Sequence, residues 1–247
     1  SGSQSVTVTI TENESVPTVT LTSSASSIVE NAGSSLTLTA TISQVADEDI
    51  TVTIGTAGTS TEGTDYTDGS GAVDDITISA GNTTGTVNFT PTDDSVYEGN
   101  ETAIISIDGV SGADAAEDGT QSVTITITEN ESAPTVTLTT SATSIAENAG
   151  SSLTLTATIS QVADEDVTVN LGTAGTSTNG TDYGSLSSIT VSAGDLTGTA
   201  SFTPTDDSVY EGNETAVVSI STVSGADATE SGTQSETITI SADGDAA

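Results

Sequence analysis

Two near-identical copies of one sequence unit make up almost the whole chain, which restricts it to a tandem pair of like folds. Pro17 and Pro134 occupy matching positions 117 residues apart, and the block 30–49 recurs letter for letter as 147–166. The copies therefore predict three segments along the chain. These are 1–16, 17–133 for the first repeat and 134–247 for the second.

The opening segment repeats the end of the first copy. Residues 1–15 read SGSQSVTVTITENES, and residues 119–132 read GTQSVTITITENES. We therefore expect residues 1–16 to be the last strand of an upstream repeat followed by a linker.

Apolar residues alternate with threonine and serine along each copy, with the period of two that is typical of half-buried strands. Leu36, Leu38 and Ala40 fall on one face, while the threonines between them fall on the other. Gly, Asn and Asp turns separate the segments, and no stretch has helical spacing. The pattern predicts an all-β fold of two tandem immunoglobulin-like antiparallel β-sandwiches, with about seven strands each. In the first copy the predicted strands A to G cover 18–22, 35–43, 50–54, 74–79, 85–90, 102–107 and 122–128.

All charged side chains of this chain are acidic. The chain has 36 aspartates and glutamates and no lysine, arginine or histidine, so its formal net charge is −36. Clustered carboxylates then have no side-chain cation to neutralise them, which makes metal ions the remaining candidates. For hard oxygen ligands in an extracellular setting, calcium is the first choice.

The same composition argues against several classes of function. Without basic side chains the chain has nothing to meet a phosphate, so we expect no nucleic-acid partner. Without His, Cys or Lys the usual catalytic groups are missing, and we expect no enzyme activity. No apolar run reaches the roughly 20 residues of a membrane-spanning helix, so no membrane insertion is expected in this segment.

The acidic residues fall in particular connections. If strands A to G run alternately up and down, the A–B, C–D and E–F connections and the residues after G meet at one pole. Acids in the B–C and F–G connections are interpreted instead as solvated loop residues. The pole would gather Glu30 from A–B, Asp65 from C–D, Asp93, Asp94 and Glu98 from E–F, and Glu129, Asn130 and Glu131 after G. Such a cluster repels itself, and it becomes favourable once divalent cations bind.

Three motifs in these connections carry a family resemblance: Glu30-Asn31-Ala32-Gly33, Gly63-Thr64-Asp65-Tyr66 and the segment DDSVYEGNE at 93–101. In order and spacing the chain resembles a pair of Calx-β domains, a module of sodium–calcium exchangers and of large bacterial surface proteins. The resemblance implies Ca²⁺ as the cofactor, with ligands from the same four segments. By position these are Glu30, Asp65, Asp93, Asp94, Glu98 and Glu101 in the first copy, and Glu147, Asp182, Asp206, Asp207, Glu211 and Glu214 in the second.

The segment after strand G differs from the family pattern. Calcium-regulated members carry a run of aspartates there, whereas this chain has Glu129-Asn130-Glu131 and, in the second copy, Asp243 and Asp245. These residues complete the predicted ligand set.

We therefore expect an extracellular or cell-surface structural module, stiffened by calcium, that forms the stalk of an adhesin or part of a fibre. Its expected partners are neighbouring repeats of the same chain, with a homopolymer as a further possibility. Two alternatives stay open. The chain could be a filament subunit joined by donor-strand addition through its opening strand, or its threonine-rich faces could bind carbohydrate or ice.

Overall fold

The computed structural model describes residues 3–9, 11 and 13–242, and none of these residues lies in a helix. The chain divides into two compact units. Unit 1 comprises Ser1–Asp93 and Glu101–Thr128, and unit 2 comprises Asp94–Asn100 and Glu129–Ala247. Within the described part of the chain, no helix has the length and apolar character needed to cross a membrane.

The first copy contains all seven predicted strands and three short additional ones. The long strands hold threonine on their outer face and Val, Ile, Leu or Ala inside, which is the alternation that a half-buried strand requires. The strands are β1 (Thr18–Ser23), β2 (Ser27–Val29), β3 (Leu36–Ile42), β4 (Ile50–Gly58), β5 (Tyr66–Thr67), β6 (Ile76–Ile78), β7 (Thr84–Pro91), β8 (Glu101–Ser111), β9 (Ala116–Glu117) and β10 (Ser122–Thr128).

These strands form two packed sheets, so the predicted immunoglobulin-like sandwich is confirmed. One sheet has the order β5-β7-β3-β1-β9, and the other has the order β2-β10-β8-β4-β6. The long strands pair antiparallel, while β1 with β9 and β2 with β10 are parallel. If the three additional strands β2, β5 and β9 are left aside, the chain crosses between the sheets after β3, β6 and β7. These crossings are the Greek-key connections of such sandwiches.

The core of unit 1 is lean in aromatic residues and is built around one ring pair. Tyr66 and Phe89 stack with centroids 4.6 Å apart and an interplanar angle of 24°. Both side chains are buried, and aliphatic residues from both sheets complete the cluster. The ring pair lies at the end of the sandwich where β5 and β7 meet, since Tyr66 is paired with Pro91.

Unit 2 repeats the architecture in the second copy. Its sheets have the orders β16-β13-β11-β18 and β12-β19-β17-β14-β15. Tyr183 and Phe202 stack at 4.6 Å, as their counterparts do in unit 1. The strands are β11 (Thr135–Thr140), β12 (Ser144–Ala146), β13 (Leu153–Ile159), β14 (Val167–Gly175), β15 (Ser188–Val191), β16 (Thr197–Phe202), β17 (Glu214–Ser224), β18 (Thr229–Glu230) and β19 (Ser235–Ser241).

The opening segment resembles β10 in sequence but not in structure. Residues 3–9 form no strand in the described part of the chain, and Val6 and Val8 are 89% and 79% exposed. The predicted division into 1–16, 17–133 and 134–247 stays a prediction.

Glycine allows the two sheets of each unit to approach closely at one edge. A Cβ atom at Gly85 on β7 would lie 2.3 Å from the carbonyl oxygen of Thr77 on β6, in the other sheet. Gly198 meets Thr190 in the same way, at 2.1 Å. A side chain at these positions would force the backbones apart.

We expect Gly85→Ala to lower the free energy of unfolding by about 1–3 kcal/mol, because the added methyl overpacks the sheet contact. Urea denaturation measures the change. Gly71→Ala is the matched control, since a Cβ there meets no atom within 4 Å. Equal stability of the two variants would contradict the close approach of the sheets.

Buried tyrosines predict a loss of stability in alkaline solution. Burial raises the pKa of Tyr66 and of Tyr183 above the usual value near 10. The folded chain then holds these protons more tightly than the unfolded chain does. The resulting stability is fully present below pH 10 and is lost as the pH rises from there through the folded-state pKa. Urea midpoints between pH 8 and 11 should therefore fall, and Tyr183→Phe should make the fall smaller. A fall of equal size in that variant would count against this origin.

Candidate metal centre

Strand ends bring the predicted acidic connections to one pole of each sandwich. In unit 1 the end of β10 pairs with the end of β2, where Thr128 is the partner of Val29. The N–H of Glu30, the next residue, donates to the carbonyl oxygen of Thr128 at 3.0 Å. Asp65 directly precedes β5, and its carbonyl oxygen accepts a hydrogen bond from the N–H of Thr92 at 2.9 Å. The A–B connection therefore adjoins the end of strand G, and the C–D connection adjoins the start of E–F.

The second copy gathers three acids in one cluster. Asp182, Glu211 and Glu214 each offer a carboxylate oxygen, and these oxygens lie within 4.8 Å of one another. Asp182 is held in a tight turn, where its Oδ2 accepts the N–H of Thr178 at 2.6 Å. Glu214 is the first residue of β17. A turn and a strand end, both fixed by backbone pairing, thus set the positions of two of the three carboxylates.

Crowding of negative charge shows in the proton affinities of this cluster. Desolvation and the neighbouring charges of Asp182, Glu211 and Glu147 raise the pKa of Glu214. Desolvation and the charges of Asp182 and Asp207 raise the pKa of Glu211. A positive ion at this place would relieve the repulsion, and the chain has no basic side chain to supply it.

In the first copy the predicted ligands are divided between the units. Glu30, Asp65 and Glu101 belong to unit 1, and Glu98, Glu129 and Glu131 belong to unit 2. Glu30 is 5% exposed, as is its counterpart Glu147, and Asp65 is 8% exposed. Buried carboxylates of this kind are found in proteins where they are paired or coordinate a metal.

Glu129 has a structural role that the sequence did not indicate. Its Oε2 accepts the N–H groups of Glu98 at 2.6 Å and Gly99 at 2.9 Å, and its Oε1 accepts those of Asn130 at 2.8 Å and Glu131 at 2.9 Å. Desolvation opposes ionisation here, but the hydrogen bonds to the carboxylate outweigh it and lower the pKa of Glu129. Four N–H donors fill the lone pairs of both oxygens. Glu129 therefore holds residues 98–99 by hydrogen bonds, an interaction that we call the Glu129 clasp. Its oxygens have little capacity left to bind a metal ion.

Four more predicted ligands lie in the loops of the DDSVYEGNE motif and are not part of the cluster of Asp182, Glu211 and Glu214. Asp94 and Asp207 each close a turn, accepting the N–H of Val96 at 2.7 Å and that of Val209 at 2.6 Å. Asp93 and Asp206 are exposed.

Three further predicted ligands follow strand G in the two copies. Asn130 donates from its side chain to Glu131 Oε1 at 2.8 Å. Asp243 and Asp245 lie outside the described residues.

Sequence reasoning also missed several residues that order the loops. The side-chain oxygen of Asn100 accepts the N–H of Glu129 at 3.0 Å, and that of Asn213 accepts the N–H of Ala242 at 3.1 Å. Glu62 accepts the N–H of Val73 at 2.6 Å, and Asn179 takes its place in the second copy. The sequence signal for Asn100 was the glycine that precedes it in the DDSVYEGNE motif. Gly99 has a φ of 74°, a left-handed conformation that favours glycine.

The sequence model of the Calx-beta domain matches residues 12–131 and again 129–244. The chain belongs to the Calx-beta domain family. Both copies are therefore Calx-beta domains, as the sequence motifs indicated. Among curated proteins, none matches this chain.

Solved structures similar to this chain include CBD12 from CALX1.2, a Yersinia adhesin and invasin. The crystal structure of CBD12 from CALX1.2 is 14% identical, covers 90% of this chain and 99% of its own, and has a TM-score of 0.39. The Yersinia pseudotuberculosis adhesin InvE is 13% identical over 90% of this chain and 58% of its own, with a TM-score of 0.41. Invasin, a bacterial integrin-binding protein, is 19% identical over 92% of this chain and 40% of its own, with a TM-score of 0.38.

The Glu129 clasp can be tested in a single variant. We expect Glu129→Gln to lower the free energy of unfolding by about 1–3 kcal/mol, because an amide NH₂ would face backbone N–H donors that the carboxylate now satisfies. Urea denaturation in EDTA at pH 7 measures the loss without any bound metal. Asp195→Asn is the control, as Asp195 is exposed. A variant as stable as this control would show that the clasp contributes little.

Proposed function

We propose that this chain is a calcium-binding structural module of an extracellular repeat protein, such as the stalk of a surface adhesin or a segment of an extracellular fibre. One observation carries the proposal. Asp182, Glu211 and Glu214 converge within 4.8 Å in a chain that has no basic side chain to neutralise them. Membership of the Calx-beta family supports it.

The donor set fits calcium better than other common metals. The cluster offers only carboxylate oxygens, which are hard ligands, and Ca²⁺ takes six to eight of them in flexible geometry. Zinc sites are built mainly from Cys and His, and the chain has neither. Three carboxylates supply up to six oxygens, and water or backbone carbonyls can complete the shell. Bound calcium would offset the negative charges of Asp182, Glu211 and Glu147, which together with desolvation raise the pKa of Glu214.

Residues of the proposed centre also lie at the link between the repeats. Glu131 lies three residues after the end of β10 and precedes Pro134, which opens the second copy. An ion bound at Glu131 would restrain this short segment, and proline restricts it further. Stiffening of the link is therefore part of the proposal, and it suits a stalk or fibre.

The proposed extracellular location agrees with the calcium affinity that such a centre would have. Extracellular calcium modules bind with dissociation constants of about 10⁻⁴–10⁻³ M, a range suited to partly exposed clusters such as this one. At ten times the dissociation constant, each independent site adds about 1.4 kcal/mol to the stability of the folded chain.

We expect calcium to raise the melting temperature and EDTA to reverse the rise, because the ion binds clustered carboxylates that exist only in the folded chain. Magnesium should stabilise the chain less, since it demands a smaller octahedral site. The double variant Asp182→Asn/Glu214→Gln should lose the part of the calcium effect that belongs to the second copy. Differential scanning calorimetry and isothermal titration with CaCl₂ measure these effects.

The control variant is Asp195→Asn, an exposed acid outside the cluster. It should keep the full response to calcium. The proposal fails if calcium leaves the melting temperature unchanged, or if the double variant responds to the ion as the unmodified chain does.

A further inference from the structure

The tyrosine of the first DDSVYEGNE motif is built into unit 2. Tyr97 is 9% exposed and belongs to the hydrophobic core cluster of that unit. Its hydroxyl donates to Asp227 Oδ2 at 2.9 Å. Its backbone pairs with the chain at 162–164, where its N–H donates to Val162 O at 2.9 Å and its carbonyl oxygen accepts from the N–H of Asp164 at 3.2 Å.

The seat that receives Tyr97 is formed by two loops of the second copy. One contains Val162 and Ala163, and the other runs over residues 225–228. The alanines of these loops are buried, with exposures of 1% for Ala163, 6% for Ala226 and 7% for Ala228. Small residues on both sides thus leave room for one aromatic ring, with Asp227 at its edge to accept the hydroxyl.

Unit 1 has the same two loops, and between them lies a groove of about 1010 Å³. Its walls carry the counterparts Ala46, Ala113, Asp114 and Ala115. Here the three alanines are only half-buried, and Val45 is 59% exposed, whereas Val162 in unit 2 is half-buried. The three alanines and the valine are each more exposed in unit 1 than in unit 2. This difference is expected when a ring covers the seat of unit 2 and no ring covers the groove of unit 1.

Backbone conformation shows that the groove is already shaped. Ala113 and Asp114 have φ values of 48° and 52°, and Ala226 and Asp227 both have 49°. Non-glycine residues rarely adopt this left-handed conformation, which is strained for them. Because both copies hold it, the groove of unit 1 needs no rearrangement to match the seat of Tyr97.

The second copy carries the matching insert at its own pole. Tyr210 and Val209 correspond to Tyr97 and Val96 in the repeated motif, yet they are 53% and 57% exposed. A large apolar pair in this position is a candidate contact surface. Of the two motif tyrosines, Tyr97 is thus covered by its seat and Tyr210 is exposed, while the groove of unit 1 is open.

We propose that the groove of unit 1 binds the Asp207–Gly212 loop of a second copy of this chain, with Tyr210 taking the position that Tyr97 has in unit 2. In this arrangement the Tyr210 hydroxyl donates to Asp114, and the loop backbone pairs with Val45 and Asp47. The contact is heterologous, because each chain offers a tyrosine on unit 2 and a groove on unit 1. Contacts of this type join successive chains into closed rings or open arrays.

This inference goes beyond the proposed function and does not depend on calcium. Both surfaces are acidic, with Asp207 and Glu211 on one and Asp47 and Glu48 on the other. Association in low salt is therefore opposed by repulsion, which salt screens. Within a longer array a covalent link supplies an effective concentration in the millimolar range, so a weak contact suffices there.

The experiment is a nuclear magnetic resonance titration between two preparations of the chain. The ¹⁵N-labelled chain, at about 50 μM in 0.5 M NaCl with EDTA, receives unlabelled chain up to about 1 mM. We expect shifts of the Ala46, Ala113 and Ala115 amides in the labelled chain. The counterparts Ala163 and Ala226 should stay in place, because Tyr97 already covers that seat.

Variants of the unlabelled chain identify the insert. Tyr210→Ser should weaken binding at least about tenfold, since it removes the buried ring. Leu196→Ser removes an exposed apolar side chain of another loop, 47% exposed, and should leave binding unchanged.

Three outcomes would overturn the proposal. They are the absence of any shift at Ala46, Ala113 and Ala115, shifts of equal size in both seats, and equal binding by the Tyr210→Ser and unmodified chains. Use of EDTA keeps this test separate from the calcium proposal. Failure of the titration leaves the calcium response intact, and loss of the calcium response leaves the titration intact.

Discussion

Negative charge without a side-chain counter-charge is the constraint on which the structure depends. Every carboxylate in a connection between strands must be met by backbone N–H groups, hydroxyls, water or metal. The fold uses backbone donors widely. Asp49 accepts the N–H of Ala80 at 2.7 Å, and Asp166 accepts that of Ala193 at 2.8 Å, so acids after strand B fasten the turn that follows strand D. At the opposite pole too many acids converge for backbone donors alone, and there the arrangement favours a cation.

The two copies differ in the residue that follows their last strand. Glu129 occupies the position after β10, while Ala242 occupies the matching position after β19. Only the first can accept the N–H groups of the DDSVYEGNE motif through a side chain. The loop held by Glu129 has its tyrosine buried, and the loop beside Ala242 has Tyr210 exposed. Residues 97–99 thus make two kinds of contact. Glu98 and Gly99 donate hydrogen bonds to Glu129, and Tyr97 packs in its seat in unit 2.

Much of the fold could be predicted because its pattern is local. Alternation of apolar residues with threonine fixes which side of each strand is buried, and the seven long strands of the first copy all follow it. The short strands β2, β5 and β9 were not predicted, because two or three residues carry no periodicity and their pairing comes from distant partners. Strand direction predicts a shared pole for the candidate ligands, and their role as ligands stays a prediction. The turn-closing role of Asp94 could not be predicted, because an aspartate in a loop can bind a cation or accept hydrogen bonds from its own backbone.

By itself the sequence determined the all-β class, the duplication, the family and the excess of acids, since each of these is written in composition and short-range spacing. Only the tertiary structure decided which acids share a cluster, because that depends on which strand ends meet. It also decided that Glu129 faces four N–H groups and that Tyr97 lies in a seat lined by Ala163 and Ala226. These contacts join residues far apart in the chain, and pairing across sheets and loops, rather than local preference, brings them together.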